Sequence, residues 1–176
     1  MEKKYKLTEE YNTISGKKLY RIEALKDFSD VKKGDKGGFV ESEDNLSHFN
    51  NCWVGGNAIV YGNAIVYDNA NVYDNTANAI FYGNVIVYSN TAICGNAEIC
   101  GNAEISNNTD YIVFKNWWSS GRYFTWTRSN NMWRVGCFYG TGEELIAKAY
   151  KDSELSGREY KRVVEYVESI LKDSEE

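Results

Sequence analysis

The sequence contains no proline, a single histidine and no long apolar run, and each absence excludes something. Without proline, tight turns have to be made by glycine, asparagine and similar residues. One histidine, together with four cysteines that form no CxxC pair, provides no cluster with the spacing of a zinc site. Because the mean hydropathy is −0.54 and no apolar run approaches the ~18 residues of a membrane-spanning helix, the sequence predicts no such helix.

The charge balance is acidic, with 20 Lys and Arg against 25 Asp and Glu and a formal net charge of −5. This balance argues against a general nucleic-acid coat and against binding to an anionic membrane. The N-terminal stretch MEKKYKLTEE has no apolar core of the kind that signal peptides need. We therefore expect a cytoplasmic protein whose four cysteines are reduced.

A six-residue unit recurs between Asp44 and Ser106. Ten units align around one break at residues 74–76, and they read DNLSHF, NNCWVG, GNAIVY, GNAIVY, DNANVY, ANAIFY, GNVIVY, SNTAIC, GNAEIC and GNAEIS. Most units place an asparagine before a small residue, and a β-branched residue usually follows two positions later. Six residues are too few for a helical repeat, but they suit a short strand and a tight corner.

Strand alternation puts the small and the β-branched residue of each unit on one side, so these two positions are predicted to fill an interior. The tightest interior positions are predicted at Ala58, Ala64, Ala97 and Ala103. The pattern resembles the left-handed parallel β-helix of hexapeptide-repeat proteins, in which three hexapeptides form a triangular coil. The resemblance implies about three coils, stacked about 4.8 Å apart. The alternative, a set of antiparallel hairpins, needs longer strands than these units provide.

The outward positions of the repeat carry isoleucine and tyrosine, which are unusual on a free surface. Contiguous apolar patches mark interaction sites, and we predict a homotrimer that packs through these residues. The alternative is that flanking segments of the same chain cover one of the stripes. The predicted interface residues, on two faces of the coil, are Ile59, Ile65, Ile80, Ile86, Tyr61, Tyr67, Tyr82 and Tyr88.

The segments on either side of the repeat differ from it in composition. We predict a mainly β protein with an N-terminal β-hairpin cap at 1–43, a left-handed β-helix of ten hexapeptides at 44–109 and a small α+β domain at 110–176. The third segment is expected to contain three strands, Asp110–Asn116, Arg122–Arg128 and Met132–Phe138. Two helices should follow, each starting at a capping box, one with Thr141 and Glu144 and the other with Ser156 and Glu159.

The third segment is both aromatic and basic, since residues 111–139 include ten aromatic side chains and no acidic one. Alternation on the second predicted strand places two arginines and two rings on one face. Arginine binds phosphate and an aromatic ring stacks on a base, so this face is a candidate nucleotide site. The predicted ligand-binding residues are Lys115, Arg122, Phe124, Trp126, Arg128 and Arg134. The alternative is that the rings belong to a core and the arginines are edge charges.

Two further motifs point to a family. The chain contains VKKGDKGGFVESEDNLS ahead of its YGNA units, and GCFYGTGEEL near its end. These segments resemble bacteriophage and prophage hexapeptide-repeat proteins that share a KGD-GG-(W/F)-(V/I)-E motif, an ENLS-like element, YGNA repeats and a C-terminal GCF-x-GT domain. The resemblance covers nearly the whole chain. It implies a β-helix of viral origin, in a family whose role is mostly unassigned.

Catalytic patterns are missing from the sequence. Hexapeptide acyltransferases need a general base, usually histidine, whereas His48 is predicted to point inward near the end of the coil. Residues 44–109 contain no Lys or Arg that could hold the phosphates of coenzyme A. We therefore expect no enzyme, no cofactor and no metal, and the acyltransferase is a distant third hypothesis.

Two hypotheses of function are carried forward. The first is a phage-encoded binding protein, acting in the cytoplasm of an infected bacterium, that counters antiviral defence. It would act as a sponge for a nucleotide immune signal, of the cyclic nucleotide or ADP-ribose type, or it would bind a host defence protein. The second hypothesis is a trimeric structural or assembly β-helix.

Overall fold

The computed structural model describes residues 2–73, 79–89, 91–94 and 97–173, without the side chains of Ala92 and Cys94. The break that the repeat pattern predicts at residues 74–76 lies outside these ranges. The chain is mainly β, with a β-solenoid of about three turns and a C-terminal helical part.

The N-terminal segment forms three strands, β1 (Tyr5–Ile14), β2 (Lys17–Ala24) and β3 (Lys36–Val40). Strands β1 and β2 are an antiparallel hairpin, closed at Ser15 and Gly16, which both have positive φ. Strand β3 pairs antiparallel with β2 on one side and parallel with a solenoid strand on the other. The predicted boundary at residue 43 therefore falls after the first strand of a solenoid sheet, not before it.

Short parallel strands wind through three sheets in the described part of the solenoid. The strands are β4 (Trp53–Val54), β5 (Ile59–Val60), β6 (Ile65–Val66), β7 (Asn71–Tyr73), β8 (Ile80–Phe81), β9 (Ile86–Val87), β10 (Ala92–Cys94), β11 (Glu98–Ile99) and β12 (Glu104–Ile105). One sheet continues from β3 through β5, β8 and β11, the second contains β4, β7 and β10, and the third contains β6, β9 and β12. Within each sheet, a strand thus hydrogen-bonds to the strand that lies one turn earlier or later along the solenoid axis, and the inner strands bond on both sides.

The interior of the solenoid is filled as the sequence predicts. Ala58, Ala64, Ala97 and Ala103 are at most 1 % exposed, which confirms their predicted place inside. Valine, isoleucine and Phe81 make up much of the rest of this core, together with Leu46, Cys52 and Trp53 near its first turn. Small side chains are required at the alanine positions because close-packed interiors have little spare volume.

A single asparagine closes the first corner of the solenoid. Asn45 lies at the end of a 3-10 turn, Glu43–Asn45, and is 1 % exposed. Its Oδ1 accepts hydrogen bonds from the backbone N–H groups of Glu41 and Ser42. Its Nδ2 donates to the carbonyl oxygens of Gly62 and Ala64, one turn further on. Both acceptor positions of the Asn45 amide oxygen and both of its N–H donors are therefore used in hydrogen bonds.

The C-terminal segment is a four-stranded antiparallel sheet followed by two helices. The strands are β13 (Tyr111–Lys115), β14 (Tyr123–Thr127), β15 (Met132–Val135) and β16 (Phe138–Gly140), and the helices are α1 (Gly142–Asp152) and α2 (Glu154–Asp173). Three strands were predicted because Met132–Phe138 reads as one run. Gly136, with φ of 56°, turns the chain inside that run, so it becomes two strands.

One of the two predicted capping boxes exists. Thr141 and Glu144 cap the start of α1 reciprocally, as predicted. The box predicted at Ser156 and Glu159 is wrong, because α2 already begins at Glu154. Ser153 accepts the hydrogen bond from the backbone N–H of Ser156 instead, so the helix starts almost directly after α1.

The terminal sheet lies over the last turn of the solenoid. The backbone N–H of Glu98 donates to Thr125 Oγ1 at 3.0 Å, and that of Glu104 donates to Ser129 Oγ at 2.8 Å. Tyr111 packs against the solenoid core from the same side. Side chains of the sheet therefore satisfy backbone donors that an open solenoid end would leave unpaired.

Acid should weaken the attachment of the N-terminal hairpin. The pKa of Glu41 lies below its usual range, first because of its hydrogen bond with Lys17 and next because of the bond from the Gly62 N–H. A carboxyl whose folded pKa is lowered stabilises the fold above its unfolded pKa of about 4.3, and the contribution disappears as pH falls through the folded pKa. Glu41→Gln should lower the free energy of unfolding by about 0.5–1 kcal/mol at neutral pH and have little effect in strong acid.

Urea denaturation at the two pH values checks this expectation. Glu168→Gln, on an exposed part of α2, is the matched control and should change the free energy of unfolding at neither pH. An equal loss for Glu41→Gln at both pH values would contradict the electrostatic explanation.

Candidate functional site

The six residues predicted to bind a ligand lie on different faces of the terminal sheet. Trp126 pairs with Trp133, whereas Thr125 pairs with Arg134. Since neighbouring residues of a strand point to opposite faces, Trp126 lies on the face that packs against the helices and Arg134 on the face toward the solenoid. The structure therefore does not bring these two predicted partners together.

The predicted stacking rings are in the core. Phe124 and Trp126 are each 1 % exposed, and they pack with Trp133 and Tyr160 between the sheet and the helices. The indole N–H of Trp126 donates to Asn131 Oδ1 at 2.9 Å. The prediction of a stacking platform at these two positions is corrected, because neither ring is accessible to a base.

Arg134 is already engaged within the chain. Its Nε and one terminal nitrogen lie 2.9 and 2.8 Å from Glu98 Oε1, and its guanidinium lies 5.5 Å from the ring centre of Tyr82. Burial acts to lower the pKa of Arg134, but the hydrogen bonds and attraction of Glu98 outweigh it and raise the pKa. This arginine fastens the terminal sheet to the solenoid, so it is poorly placed to bind an external phosphate.

Arg128 lies at the far end of β14 and is half-buried. Its backbone N–H donates to the carbonyl oxygen of Asp110 at 2.7 Å. Its side-chain Nε is buried without a hydrogen-bond partner among the residues that the structure describes. The structure places it at the opposite end of β14 from Arg122, the other arginine predicted on this strand.

The remaining two predicted residues, Lys115 and Arg122, lie at the end of the β13–β14 hairpin, which also carries two aromatic residues that the sequence argument did not select. Lys115 and Tyr123 are paired across β13 and β14, and the Lys115 Nζ lies 5.8 Å from the tyrosine ring centre. Trp117 and Arg122 lie in the turn that joins these strands, and both are exposed. We call Lys115, Trp117, Arg122 and Tyr123 the hairpin-end patch.

The turn that carries the patch is held in place from inside. Asn116 is 4 % exposed; its Nδ2 donates to Tyr160 Oη at 3.0 Å, and its Oδ1 accepts from the backbone N–H and hydroxyl of Ser119. The backbone N–H of Asn116 also donates to the carbonyl oxygen of Arg122 at 2.8 Å. Trp118 packs edge-on against Tyr160, with 4.9 Å between ring centres. These contacts fix the loop on which Trp117 is presented.

The patch is basic and not neutralised. Within the described ranges, neither Lys115 nor Arg122 has a carboxylate within ion-pair distance, in contrast to Arg134. The nearest stretch of sequence, residues 111–139, has no acidic side chain. The patch is therefore positively charged in a protein whose net charge is −5.

Sequence reasoning missed Trp117 and Tyr123, although one signal was present. Trp117 is 73 % exposed and Tyr123 44 % exposed, so both contrast with the buried rings of the same segment. The signal is the Trp-Trp pair followed by Ser-Ser-Gly, since two adjacent large rings in a polar turn cannot both face the core.

The predicted interface residues divide between a covered and an uncovered face. Ile59 is 3 % exposed and packs with Leu19 and Phe39 of the N-terminal strands, and Ile80 and Tyr61 pack against the same cluster. Tyr82 lies beneath Arg134. On this face the prediction is corrected, because flanking segments of the same chain cover the stripe.

The other face is open along the solenoid axis. Ile65 is 41 % exposed, and Ile86, its partner on the next strand, is partly exposed. Tyr67 and Tyr88 stack in the next column, with ring centres 5.3 Å apart and 9° between their planes. We call these four residues the open stripe.

The single histidine, His48, is held between the N-terminal strand and the first turn of the solenoid. His48 stacks on Tyr5 with 4.3 Å between ring centres, and its Nδ1 accepts a hydrogen bond from the backbone N–H of Lys4. Its Nε2 lies 3.5 Å from Glu43 Oε2. In the described part of the chain, no three His, Cys, Asp or Glu side chains are arranged to hold a metal ion.

No protein-family model matches the chain, and no curated protein is detectably similar to it. Among the described residues, no helix combines the length and apolar character needed to span a membrane.

Proposed function

We propose that the chain is a phage-encoded, non-enzymatic binding protein that counters bacterial antiviral defence in the cytoplasm of the infected cell. It acts by sequestering a nucleotide immune signal or, if it binds no such signal, by binding a host defence protein. The observation that carries the proposal is the hairpin-end patch, where Lys115 and Arg122 have no carboxylate partner among the described residues and Trp117 and Tyr123 are exposed, in a protein whose net charge is −5. The phage origin and the defence context rest on the resemblance of the sequence motifs.

The finer architecture is also a proposal. We propose that the solenoid is left-handed and built from hexapeptides, with the N-terminal hairpin as the cap of its first turn. Parallel pairing of Trp53 with Asn71 and of Ile65 with Ile86 supports a turn of three repeat units. Pairing of β3 with β5, while β2 covers the other edge of β3, supports the cap.

The protein is proposed to form a homotrimer through the open stripe. The open stripe consists of two isoleucines and two stacked tyrosines on neighbouring strands and ends at Glu104, which pairs with Ile86, whereas the corresponding column with Ile59 is covered by the chain itself. A second copy of the same chain offers a matching column, because parallel solenoids of equal repeat can align their residues along the axis. Three copies would place three hairpin-end patches in one assembly.

Replacing Ile65 and Ile86 together with glutamate should dissociate the trimer. Each substitution would bury an unpaired carboxylate in an apolar contact, and an uncompensated buried charge costs on the order of several kcal/mol. Light scattering should report the mass of one chain for the double variant and of three for the wild type. Leu155→Glu, an apolar residue of similar exposure on α2, is the control and should leave the trimer intact. A trimer that survives the double substitution would exclude the open stripe as the interface.

The alternative function is a trimeric structural or assembly β-helix. The open stripe favours this alternative, because an apolar surface on the side of the solenoid lets copies of the chain pack side by side, whether or not the protein also binds a ligand. Side chains of the terminal sheet occupy backbone donors of β11 and β12, which disfavours growth by end-to-end stacking. An acyltransferase remains a distant third proposal, since His48 is enclosed by Tyr5 and Lys4.

The functional test is plaque formation in a bacterium that carries a nucleotide-signalling defence. Expression of the wild-type chain should restore plaques for a phage that the defence otherwise blocks, while phage growth in undefended cells should stay unchanged. A purely structural β-helix would restore nothing in the defended cells.

A further inference from the structure

We propose that a cavity between the start of α1, α2 and strand β15 binds a small zwitterion, an α-amino acid with an aliphatic side chain. The cavity has a volume of about 270 Å³, which suits a small molecule. It shares no residue with the hairpin-end patch, so the proposal is independent of nucleotide binding and would give the protein a second ligand.

A buried indole faces this cavity without a hydrogen-bond partner. Trp133 is 2 % exposed and lines the cavity. Its Nε1 lies 3.3 Å from the position that a Cβ on Gly142 would occupy, so the indole nitrogen is turned toward the first residue of α1. Among the residues that the structure describes, the N–H has no acceptor. A buried indole N–H usually has one, and an oxygen of a ligand in the cavity would supply it.

The start of α1 adds two further donors beside the indole. In the capping box, Thr141 Oγ1 accepts from the N–H of Glu144, and the Glu144 carboxylate accepts from the N–H of Thr141. The N–H groups of Gly142 and Glu143, between them, have no acceptor within the helix. Both residues line the cavity. Because the helix dipole also favours negative charge at this end, the three N–H groups together favour a carboxylate.

The other walls of the cavity narrow the ligand to a zwitterion. Glu143 and Glu168 line the cavity, are exposed, and have no basic ion-pair partner in the described ranges. Their charges attract an ammonium group and repel a purely anionic ligand such as phosphate. Val164 and Val167, at most 3 % exposed, form an apolar wall. An aliphatic α-amino acid places its carboxylate at the N–H donors, its ammonium near the glutamates and its hydrocarbon on the valines.

Titration of the full chain with L-leucine tests the assignment by NMR and calorimetry. Isocaproate, which lacks the ammonium of leucine, and isoamylamine, which lacks the carboxylate, are the partial ligands and should bind more weakly. The indole N–H signal of Trp133, identified by its absence in Trp133→Phe, should shift when leucine is added. Trp133→Phe keeps an aromatic ring and removes the donor, so it should weaken leucine binding about 10- to 100-fold.

Trp118→Phe is the matched control, because it removes another buried indole N–H without a partner, outside the cavity. It should bind leucine as the wild type does. Glu168→Gln should weaken leucine binding about two- to fivefold and strengthen isocaproate binding by a similar factor. Unfolding cannot produce these opposite effects.

Two results would overturn the proposal. An indole signal of Trp133 that does not respond to leucine, or a Trp133→Phe variant that binds leucine as tightly as the wild type, would exclude the cavity as the site. Isocaproate binding as tight as leucine binding, unchanged in Glu168→Gln, would exclude a zwitterion as the ligand class.

Discussion

Asn45→Ala should lower the free energy of unfolding by about 3–5 kcal/mol. The amide of Asn45 makes four hydrogen bonds of 2.9–3.1 Å to backbone groups of two successive turns of the solenoid. The N–H of Glu41 would keep its second acceptor, the carbonyl oxygen of Val60, but alanine would remove the Asn45 bond from the N–H of Ser42 and from the carbonyl oxygens of Gly62 and Ala64. Each buried group left unpaired costs about 1–3 kcal/mol. Water entering the corner would recover part of this sum. Equilibrium denaturation in urea measures the loss.

Two further variants sharpen the test of Asn45. Asn45→Asp keeps the oxygen that accepts from Glu41 and Ser42, but it turns a second oxygen toward the carbonyls of Gly62 and Ala64. We therefore expect it to be destabilising despite its equal size. Asn63→Ala removes an exposed asparagine of the same repeat position and should change the free energy of unfolding by less than about 0.5 kcal/mol. Equal losses of unfolding free energy for Asn45→Ala and Asn63→Ala would show that the hydrogen bonds of the buried Asn45 amide stabilise the fold no more than an exposed asparagine does.

Asn45 also shows what repeat periodicity can and cannot predict. The asparagines at the same position of later units, such as Asn57, Asn84 and Asn102, are exposed corner residues. Periodicity assigns Asn45 to that class. It is buried instead because the 3-10 turn at Glu43–Asn45 directs its amide into the first corner. At the end of the repeats, a local turn thus buries the asparagine position that is exposed in the later units.

The interior of the solenoid could be predicted because it depends on local alternation alone. A small residue and a β-branched residue two positions later have to share a side of a strand, whichever way the chain winds. Ala58 and Ala103 are accordingly buried, as expected. Whether an outward stripe is exposed or covered depends on contacts with residues distant in sequence. Nothing in the repeat around Ile59 reveals that Leu19 and Phe39 pack on it.

For the terminal sheet, alternation correctly predicted which side chains share a face of β14. The prediction that this face is exposed was wrong. Phe124 and Trp126 do share a face, but that face meets the helices. Arg122 and Arg128 lie just outside the strand, which spans Tyr123–Thr127, so their side chains leave the buried face at its ends. Alternation identifies the two sides of a strand without saying which side another element covers. The exposed ring had to be found in the turn, where alternation does not apply.

Trp126→Ala should be the most destabilising substitution in the C-terminal segment. The ring is 1 % exposed, packs within the aromatic cluster between sheet and helices, and donates one hydrogen bond to Asn131. Removing a buried tryptophan leaves a large cavity and costs about 3–5 kcal/mol. Trp117→Ala, by contrast, removes a ring that is 73 % exposed and should change the free energy of unfolding by less than about 0.5 kcal/mol.

Urea denaturation monitored by far-ultraviolet circular dichroism separates the two tryptophans. The terminal helices report unfolding of the C-terminal segment, so the midpoint should fall steeply for Trp126→Ala and stay in place for Trp117→Ala. This difference is what makes Trp117→Ala a clean binding variant, because a loss of nucleotide affinity could not then be attributed to unfolding. A Trp126→Ala protein as stable as wild type would place the indole of Trp126 at the surface and restore it as a stacking ring.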